Sequence, residues 1–110
     1  MKIMRLTRHD ATAEQLAQLQ RIYGSDIEVV KVSETVPNAA RVVELAKEHS
    51  ADVVEAVLPL PILADLLKLS TTPVIRAITR RELKEDGSKT EFVFSHYERY
   101  VRVVVETEPL

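Results

Sequence analysis

The chain has 110 residues, 45% of them hydrophobic and 29% charged, which is the balance of one folded domain over residues 1–110 rather than of a disordered segment. Fifteen basic against 17 acidic residues give a net charge of −2, which argues against binding duplex DNA because such binding needs a strongly basic face. The absence of cysteine excludes disulfides, thiolate metal sites and cysteine nucleophiles.

The distribution of charge also bears on location. No apolar run approaches the roughly 20 residues of a membrane span. Lys2 and Arg5 lie where a signal peptide would need its apolar stretch. We therefore expect no membrane association and a cytoplasmic location.

Strand and helix signals alternate from the first residues onward. Residues 2–8 predict a first strand, and Thr12 with Gln15 forms the capping-box pattern that opens a first helix. Gly24 suits the left-handed position that ends this helix. Residues 27–32 are rich in β-branched side chains and predict a second strand.

The alternation continues through the middle of the chain. Pro37 or Asn38 opens a second helix, and residues 53–58 are apolar enough for a strand covered on both faces. A short third helix over 61–69 precedes a fourth strand over 73–78. This β-α-β-α-β-α-β series predicts an α/β, Rossmann-like three-layer sandwich with a parallel sheet of about four strands and right-handed crossovers. For the order of the strands we take 2-1-3-4 as a hypothesis.

The last third of the chain predicts antiparallel strands. Asp86-Gly87 is a strong hairpin-turn signal between residues 81–83 and 91–94. Residues 100–105 predict one more strand. These segments either extend an edge of the sheet or pair with a partner chain.

One short pattern occurs twice, as Leu6-Thr7-Arg8-His9-Asp10 and as Ile78-Thr79-Arg80-Arg81-Glu82. Each copy follows a predicted strand, and ligands of open α/β sheets collect at the carboxyl ends of the strands. Hydroxyl and guanidinium groups there, beside the free amides of a helix N-terminus, suit phosphate. The candidate ligand-binding residues are Thr7, Arg8, His9, Thr12, Ser33, Arg76, Thr79, Arg80 and Arg81.

Structural alternatives exist for each part of this set. Asp10 could simply pair with Arg8 while Thr12 only caps the first helix, and the second copy of the pattern could be a solvated segment near the hairpin. The loop that begins at Ser33 could contact a ligand or cap the second helix instead.

Three charged residues, Arg5, Glu55 and Arg76, interrupt strands that should be buried. With the order 2-1-3-4 we expect them on one face of the sheet. They form either a self-neutralising ion cluster, since buried charges persist mainly when paired, or part of a ligand site or dimer seam. Because one of the three crossover helices covers one face alone, that face is left partly bare and is a candidate homodimer interface.

Several catalytic and cofactor motifs are missing. Gly24 and Gly87 are the only glycines, so Gly-rich phosphate loops and dinucleotide fingerprints cannot occur. We expect no cofactor and no metal. His9 is the best placed general acid or base, while His96 is expected in a surface bend unless it caps a partner's pocket.

A first strand that ends in Thr7-Arg8-His9, followed by a helix capped by Thr12 and Gln15, resembles small stand-alone relatives of the CRISPR-associated Rossmann-fold (CARF) domains. The resemblance covers mainly residues 3–16. It implies a homodimer that binds a cyclic oligoadenylate second messenger across its two-fold axis, through residues after the first and fourth strands, and so regulates type III CRISPR antiviral signalling.

Some members of that family cleave the messenger as ring nucleases and others only sequester it; the sequence leaves both possibilities open. Metal-independent cleavage can proceed by attack of a ribose 2′-OH on the adjacent phosphate, with Arg8 or Arg80 stabilising charge and His9 moving a proton. The alternatives from other classes are a flavodoxin-like protein–protein interaction module, favoured by the apolar residues 101–105, and an enzyme acting on a small phosphorylated metabolite.

Overall fold

The protein is a mixed α/β domain built around one sheet. The computed structural model describes residues 1–83, 90–104 and 106–110. In chain order the elements are β1 (Lys2–Leu6), α1 (Ala13–Tyr23), β2 (Glu28–Val32), α2 (Ala39–Glu48), β3 (Val53–Ala56), α3 (Leu60–Leu69), β4 (Val74–Leu83) and β5 (Thr90–Arg99).

The five strands are ordered β2-β1-β3-β4-β5. The first four are parallel, and β5 is antiparallel to β4. The predicted fold class and the order 2-1-3-4 are therefore confirmed. The chain runs outwards from β1 to β2 and then crosses back over β1 to β3. The strand order therefore reverses between β1 and β3.

Two of the helices, α1 and α2, begin where a side chain accepts from one of their first free amides, whereas α3 begins after Pro59 without a side-chain cap. Thr12 and Gln15 form the predicted capping box of α1. Asn38, one of the two residues expected to open α2, caps it by accepting from Arg41 N at 3.0 Å. The alternative that the loop beginning at Ser33 caps this helix is therefore wrong. Gly24 ends α1 with φ 107°, a value that disfavours any side chain.

Two layers of apolar side chains cover the sheet. On the two-helix face, Met4, Val54 and Val74 pack with residues of α2 and α3. On the α1 face, Ile3, Val53 and Ile75 pack against Leu19. Consecutive residues of β1, β3 and β4 thus point to opposite layers, as the pleat requires.

The fourth strand is longer than predicted. Expected to end at Ile78, β4 continues to Leu83. It pairs with β3 only at Val74 and Ile75, whereas its pairing with β5 continues to Leu83. We call the two-stranded part beyond Ile75 (residues 76–83 and 90–98) the arm; the predicted turn Asp86-Gly87 lies outside the described residues.

The prediction of a strand over residues 100–105 is wrong for the five of these residues that the structure describes. Residues 100–104 have no regular secondary structure, although Val103 packs against the core. The Tyr100 amide donates to the Val74 carbonyl at 2.9 Å. A strand needs a neighbour over its length, and β4 is already paired with β3 and β5 at Ile75. Val105 lies outside the described residues.

Among the described residues, no helix has the length and apolar character needed to cross a membrane.

Candidate functional site

A cavity of about 350 Å³ opens at the carboxyl ends of β1 and β3, the point where the sheet reverses direction. Ligands of open α/β sheets bind at this position. The loop after β1 forms one wall, and Ala77 of β4 lies on the opposite side. We call this the polar cavity.

A buried ion pair forms the floor of the polar cavity. Arg5 and Glu55 face each other on β1 and β3 and are 4% and 8% exposed. Arg5 Nη1 donates to Glu55 Oε2 at 2.8 Å, and the Tyr97 hydroxyl donates to Glu55 Oε1 at 2.9 Å. The floor is therefore a network that joins β1, β3 and β5.

Arg5 also fixes the loop above it. Its Nη2 donates to the His9 carbonyl oxygen, and its Nη1 donates to Gln15 Oε1, both at 3.3 Å. Gln15 Oε1 accepts from the Thr12 amide at 3.0 Å as well, in the capping box. One guanidinium thus holds the loop after β1 and the start of α1 in place, while its own buried Nε has no hydrogen-bond partner in the part of the chain that the structure describes.

Burial and neighbouring charges shift the pKa values of two acidic groups in the network, the Glu55 carboxyl and the Tyr97 hydroxyl. Burial raises the pKa of Glu55, although Arg5 and the Tyr97 hydroxyl stabilise its charged form. Burial raises the pKa of Tyr97, and the neighbouring Glu55 carboxylate adds to this effect. The Tyr97 hydroxyl consequently stays protonated and acts as a donor.

The expectation that Arg76 joins Arg5 and Glu55 on one face is wrong. The residue of β4 that faces Glu55 is Ile75, so the pleat turns Arg76 to the other side of the sheet. There it is exposed, bonds Glu98 through Nη2 at 3.4 Å and lies 5.2 Å above the ring of Tyr100. The remaining pair is the ion cluster that the sequence suggested.

The first Thr-Arg-His cluster forms the rim of the polar cavity. Thr7, His9 and Thr12 line it, whereas Arg8 is exposed on the same loop and is not part of the lining. Asp10 pairs with Lys31 at 2.7 Å rather than with Arg8. The hydrogen bond from Lys31 lowers the pKa of Asp10. Among the described residues Arg8 has no ion-pair partner, so its guanidinium remains available.

The second cluster lies within β4 rather than after a strand. Thr79 and Arg81 follow Ala77 at two-residue intervals and so face the side of the polar cavity, while Arg80 faces the opposite side and pairs with Glu82 at 2.8 Å. None of the three lines the polar cavity. The three residues were expected to form one cluster, but the alternation of side chains along β4 places Arg80 on the other face from Thr79 and Arg81.

Two other predictions lie apart from the cavity. Ser33 is exposed at the end of β2 and is not part of the lining. His96 lies within β5, not in a surface bend, and its Nε2 is 3.0 Å from Glu98.

Aromatic side chains of β5 were not expected at the site. Tyr97 reaches Glu55, and the ring of Phe94 is 5.3 Å from that of Tyr97. Farther along the arm, Arg81 lies 5.5 Å from the ring of Phe92. Sequence alternation alone could not show this, because a register shift between Ile78 and Thr79 places Phe94 opposite Thr79.

The arrangement suits an anion that is recognised by neutral donors and a rim cation. The charge of Arg5 is compensated by Glu55, so the floor is rigid but close to neutral. The amides of Ala13 and Glu14, in the first turn of α1, have no acceptor among the described residues. The helix dipole adds a partial positive charge there. Among the described residues, Arg8 is the cationic side chain without an ion-pair partner that lies nearest to these amides along the sequence.

Comparison of the chain with protein-family models, with curated proteins and with solved structures finds no match.

Proposed function

We propose that the chain binds a nucleotide signal with several phosphates, of the cyclic oligoadenylate class, as a homodimer, and removes it by sequestration or by slow metal-independent ring cleavage. The observation that carries the proposal is the polar cavity at the reversal point of the sheet, with Thr7, His9 and Thr12 on its rim.

The case for phosphate rests on the groups that remain without partners. Free amides at a helix N-terminus bind anions, and α1 offers those of Ala13 and Glu14. Arg8 adds a forked donor that matches phosphate oxygens. Thr7 Oγ1 accepts from the His9 amide at 3.3 Å, which leaves its own proton for a ligand oxygen.

The arm supports a ligand with more than one phosphate. At about 3.4 Å per residue, Thr79 lies ~7 Å and Arg81 ~14 Å beyond Ala77 of the cavity wall. Both face the cavity side, and Phe94 and Phe92 lie opposite them. A ligand that reaches from the rim to Arg81 is longer than a single nucleoside monophosphate.

Cleavage would use the ligand's own nucleophile. The ribose 2′-oxygen attacks the adjacent phosphorus, the bond to the 5′-oxygen breaks, and a 2′,3′-cyclic phosphate forms. The 2′-OH loses a proton and the 5′-oxygen gains one, a transfer that an exposed imidazole such as His9 can assist. Arg8 would stabilise the charge on the phosphoryl oxygens.

Titration calorimetry with cyclic tri-, tetra- and hexaadenylate tests binding. We expect at least one to bind with the stoichiometry of one ring per dimer, and Arg8→Ala to weaken it. Arg81→Ala and Arg80→Ala form a matched pair: we expect Arg81→Ala to weaken binding about tenfold, since lost contacts to charged groups cost roughly 1.5 kcal/mol, and Arg80→Ala to change it little. Failure of all three rings to bind would refute the proposal.

Mass spectrometry of the bound ligand separates sequestration from cleavage. Intact ring after long incubation without metal indicates sequestration, whereas linear products indicate a ring nuclease. In the second case His9→Ala should slow cleavage while binding persists.

A protein–protein interaction module is the second candidate, and exposed apolar side chains favour it. Leu83 and Phe92 on the arm are 76% and 68% exposed, and Val101 is 83% exposed. This function predicts a different chain captured in stoichiometric amount by the purified protein, with Arg8→Ala and Arg81→Ala without effect on the capture.

A further inference from the structure

A second, apolar cavity adjoins the polar cavity. It measures about 220 Å³ and lies on the two-helix side of the same sheet edge. Four apolar residues that do not line the polar cavity contribute to its wall, namely Val36, Leu58, Pro59 and Ile62. Val36 is buried and Leu58 and Ile62 pack against the core, so the wall is a fixed part of the fold.

The two cavities meet at the ends of β1 and β3. Leu6 and Val57 line both of them. Val57 directly follows β3 and is 81% exposed, so an apolar side chain stands uncovered at the junction. The cavities are therefore neighbours, separated only by these two residues, at the point where the strand order reverses.

The volumes of the polar and apolar cavities fit different parts of one ligand. Small-molecule sites usually measure about 300–1,000 Å³, so the polar cavity by itself lies at the low end and suits a sugar phosphate. A nucleotide also carries a flat ring with apolar faces. We infer that the apolar cavity is the subsite for a planar heterocyclic ring, such as a nucleobase, of the ligand whose phosphate occupies the polar cavity; this inference rests on the proposed function.

The polar groups at the rim of the apolar cavity suit the edge of such a ring. Both oxygens of Glu34 are held by Arg41, at 2.7 Å from Nε and 2.9 Å from Nη2, so its charge is compensated. Thr35 is exposed and has no hydrogen-bond partner among the described residues. Its hydroxyl can donate to a ring nitrogen or accept from an exocyclic amine.

Parallel amide NMR titrations with adenosine 5′-monophosphate and ribose 5-phosphate test the inference on the full chain. We expect both probes to shift the amides of Thr7, His9 and Ala13, and only the nucleotide to shift those of Leu58 and Ile62. The nucleotide should bind about fivefold more tightly or better, since burying one ring face in an apolar site contributes about that much.

Two substitutions supply the matched comparison. Val57→Asn removes the apolar side chain at the junction without adding charge. Because Val57 lines both cavities, the readout is the ratio of the two affinities, and we expect the preference for the nucleotide over ribose 5-phosphate to disappear. Leu60→Asn is the control: Leu60 is 65% exposed and lines neither cavity, so both affinities should match the wild type.

Three results would overturn the inference. Equal affinities with identical shifts would show that the ring makes no contact, while the phosphate site of the proposed function would stand. A nucleotide preference that survives Val57→Asn, with Ile62 unshifted, would place the ring elsewhere. Absence of shifts with either probe would overturn the ring subsite and the placement of the phosphate in the polar cavity, while the calorimetry with cyclic oligoadenylates would decide the proposed function separately.

Discussion

Arg5 and Glu55 show how an ion pair inside two strands can hold a neighbouring loop in place. Burying an ion pair costs about as much in lost hydration as the attraction returns, so apolar replacements of such pairs are often neutral. Here the pair does more than neutralise itself, because Arg5 also bonds the His9 carbonyl and Gln15. It sets the shape of the rim that would meet a ligand.

Replacing one partner of the pair should lower the free energy of unfolding far more than replacing both by apolar residues. Glu55→Gln leaves the Arg5 guanidinium buried without a counter-charge, and we expect a loss of about 3 kcal/mol or more of unfolding free energy, measured by urea denaturation. Glu44→Gln breaks the exposed pair with Arg41 (3.0 Å) and should change stability little. Equal losses in the two variants would contradict the structural role of the floor.

The Tyr97 hydroxyl gives this network a pH signature. Because burial and Glu55 raise its pKa, the folded protein keeps this proton above the ordinary value of 10.0. A group whose folded pKa is raised stabilises the protein fully below the unfolded pKa, and the contribution is lost as pH rises above it. We therefore expect stability to fall above pH ~10 more steeply in the wild type than in Tyr97→Phe.

Ultraviolet titration of tyrosinate checks the same point directly. The difference between wild type and Tyr97→Phe should contain one tyrosine that titrates late. A difference spectrum with an ordinary tyrosine midpoint would show that the hydroxyl is not held by Glu55.

At the scale of elements, local signals decide where helices begin, and partners decide where strands end. The caps Thr12 and Asn38 lie one residue before α1 and α2, as side-chain chemistry alone requires. By contrast, β4 extends to Leu83 because β5 supplies its hydrogen-bond partners. Residues 100–104 remain irregular although their composition favours a strand.

Loss of the α1 cap should be measurable. Thr12→Ala removes the acceptor for the Gln15 amide, a 3.2 Å bond, and we expect a loss of about 0.5–2 kcal/mol in urea denaturation. Thr71 is exposed and has no hydrogen bond among the described residues, so Thr71→Ala is the control and should resemble the wild type. A stable Thr12→Ala variant would mean that Gln15 alone holds the start of the helix.

At the scale of the whole molecule, the end of the arm that lies farthest from Tyr97 carries exposed apolar side chains. Within the described part of the chain, the arm's strands beyond Ile75 pair only with each other, and Leu83 and Phe92 are largely exposed. Apolar side chains clustered on an exposed surface commonly mark an interface. The homodimer expected from the sequence therefore has a candidate contact on the arm.

Sedimentation equilibrium tests this expectation. The chain has a mass of 12.4 kDa, and for a two-fold dimer we expect about 25 kDa. Phe92→Lys should shift the protein towards the monomer, whereas Leu69→Lys, at a 58% exposed position on α3, should not. A wild-type monomer at all accessible concentrations would refute the dimer.

Several features of this protein followed from the sequence because their causes are local. Alternation of periodicity and the capping residues determined the βα order, whereas the strand order 2-1-3-4 was a hypothesis that the structure confirmed. The rim residues Thr7, His9 and Thr12 were also predictable, since they follow β1 and precede α1 directly.

Other features were decided only by tertiary structure, because they depend on which residue faces which across the sheet. The pairing of Glu55 with Ile75 turned Arg76 away from Arg5, and the length of β4 separated Arg80 from Thr79 and Arg81. Tyr97 reached Glu55 only because β5 folds back beside β4. Cross-strand register is a property of two distant segments, whereas caps and periodicity belong to one.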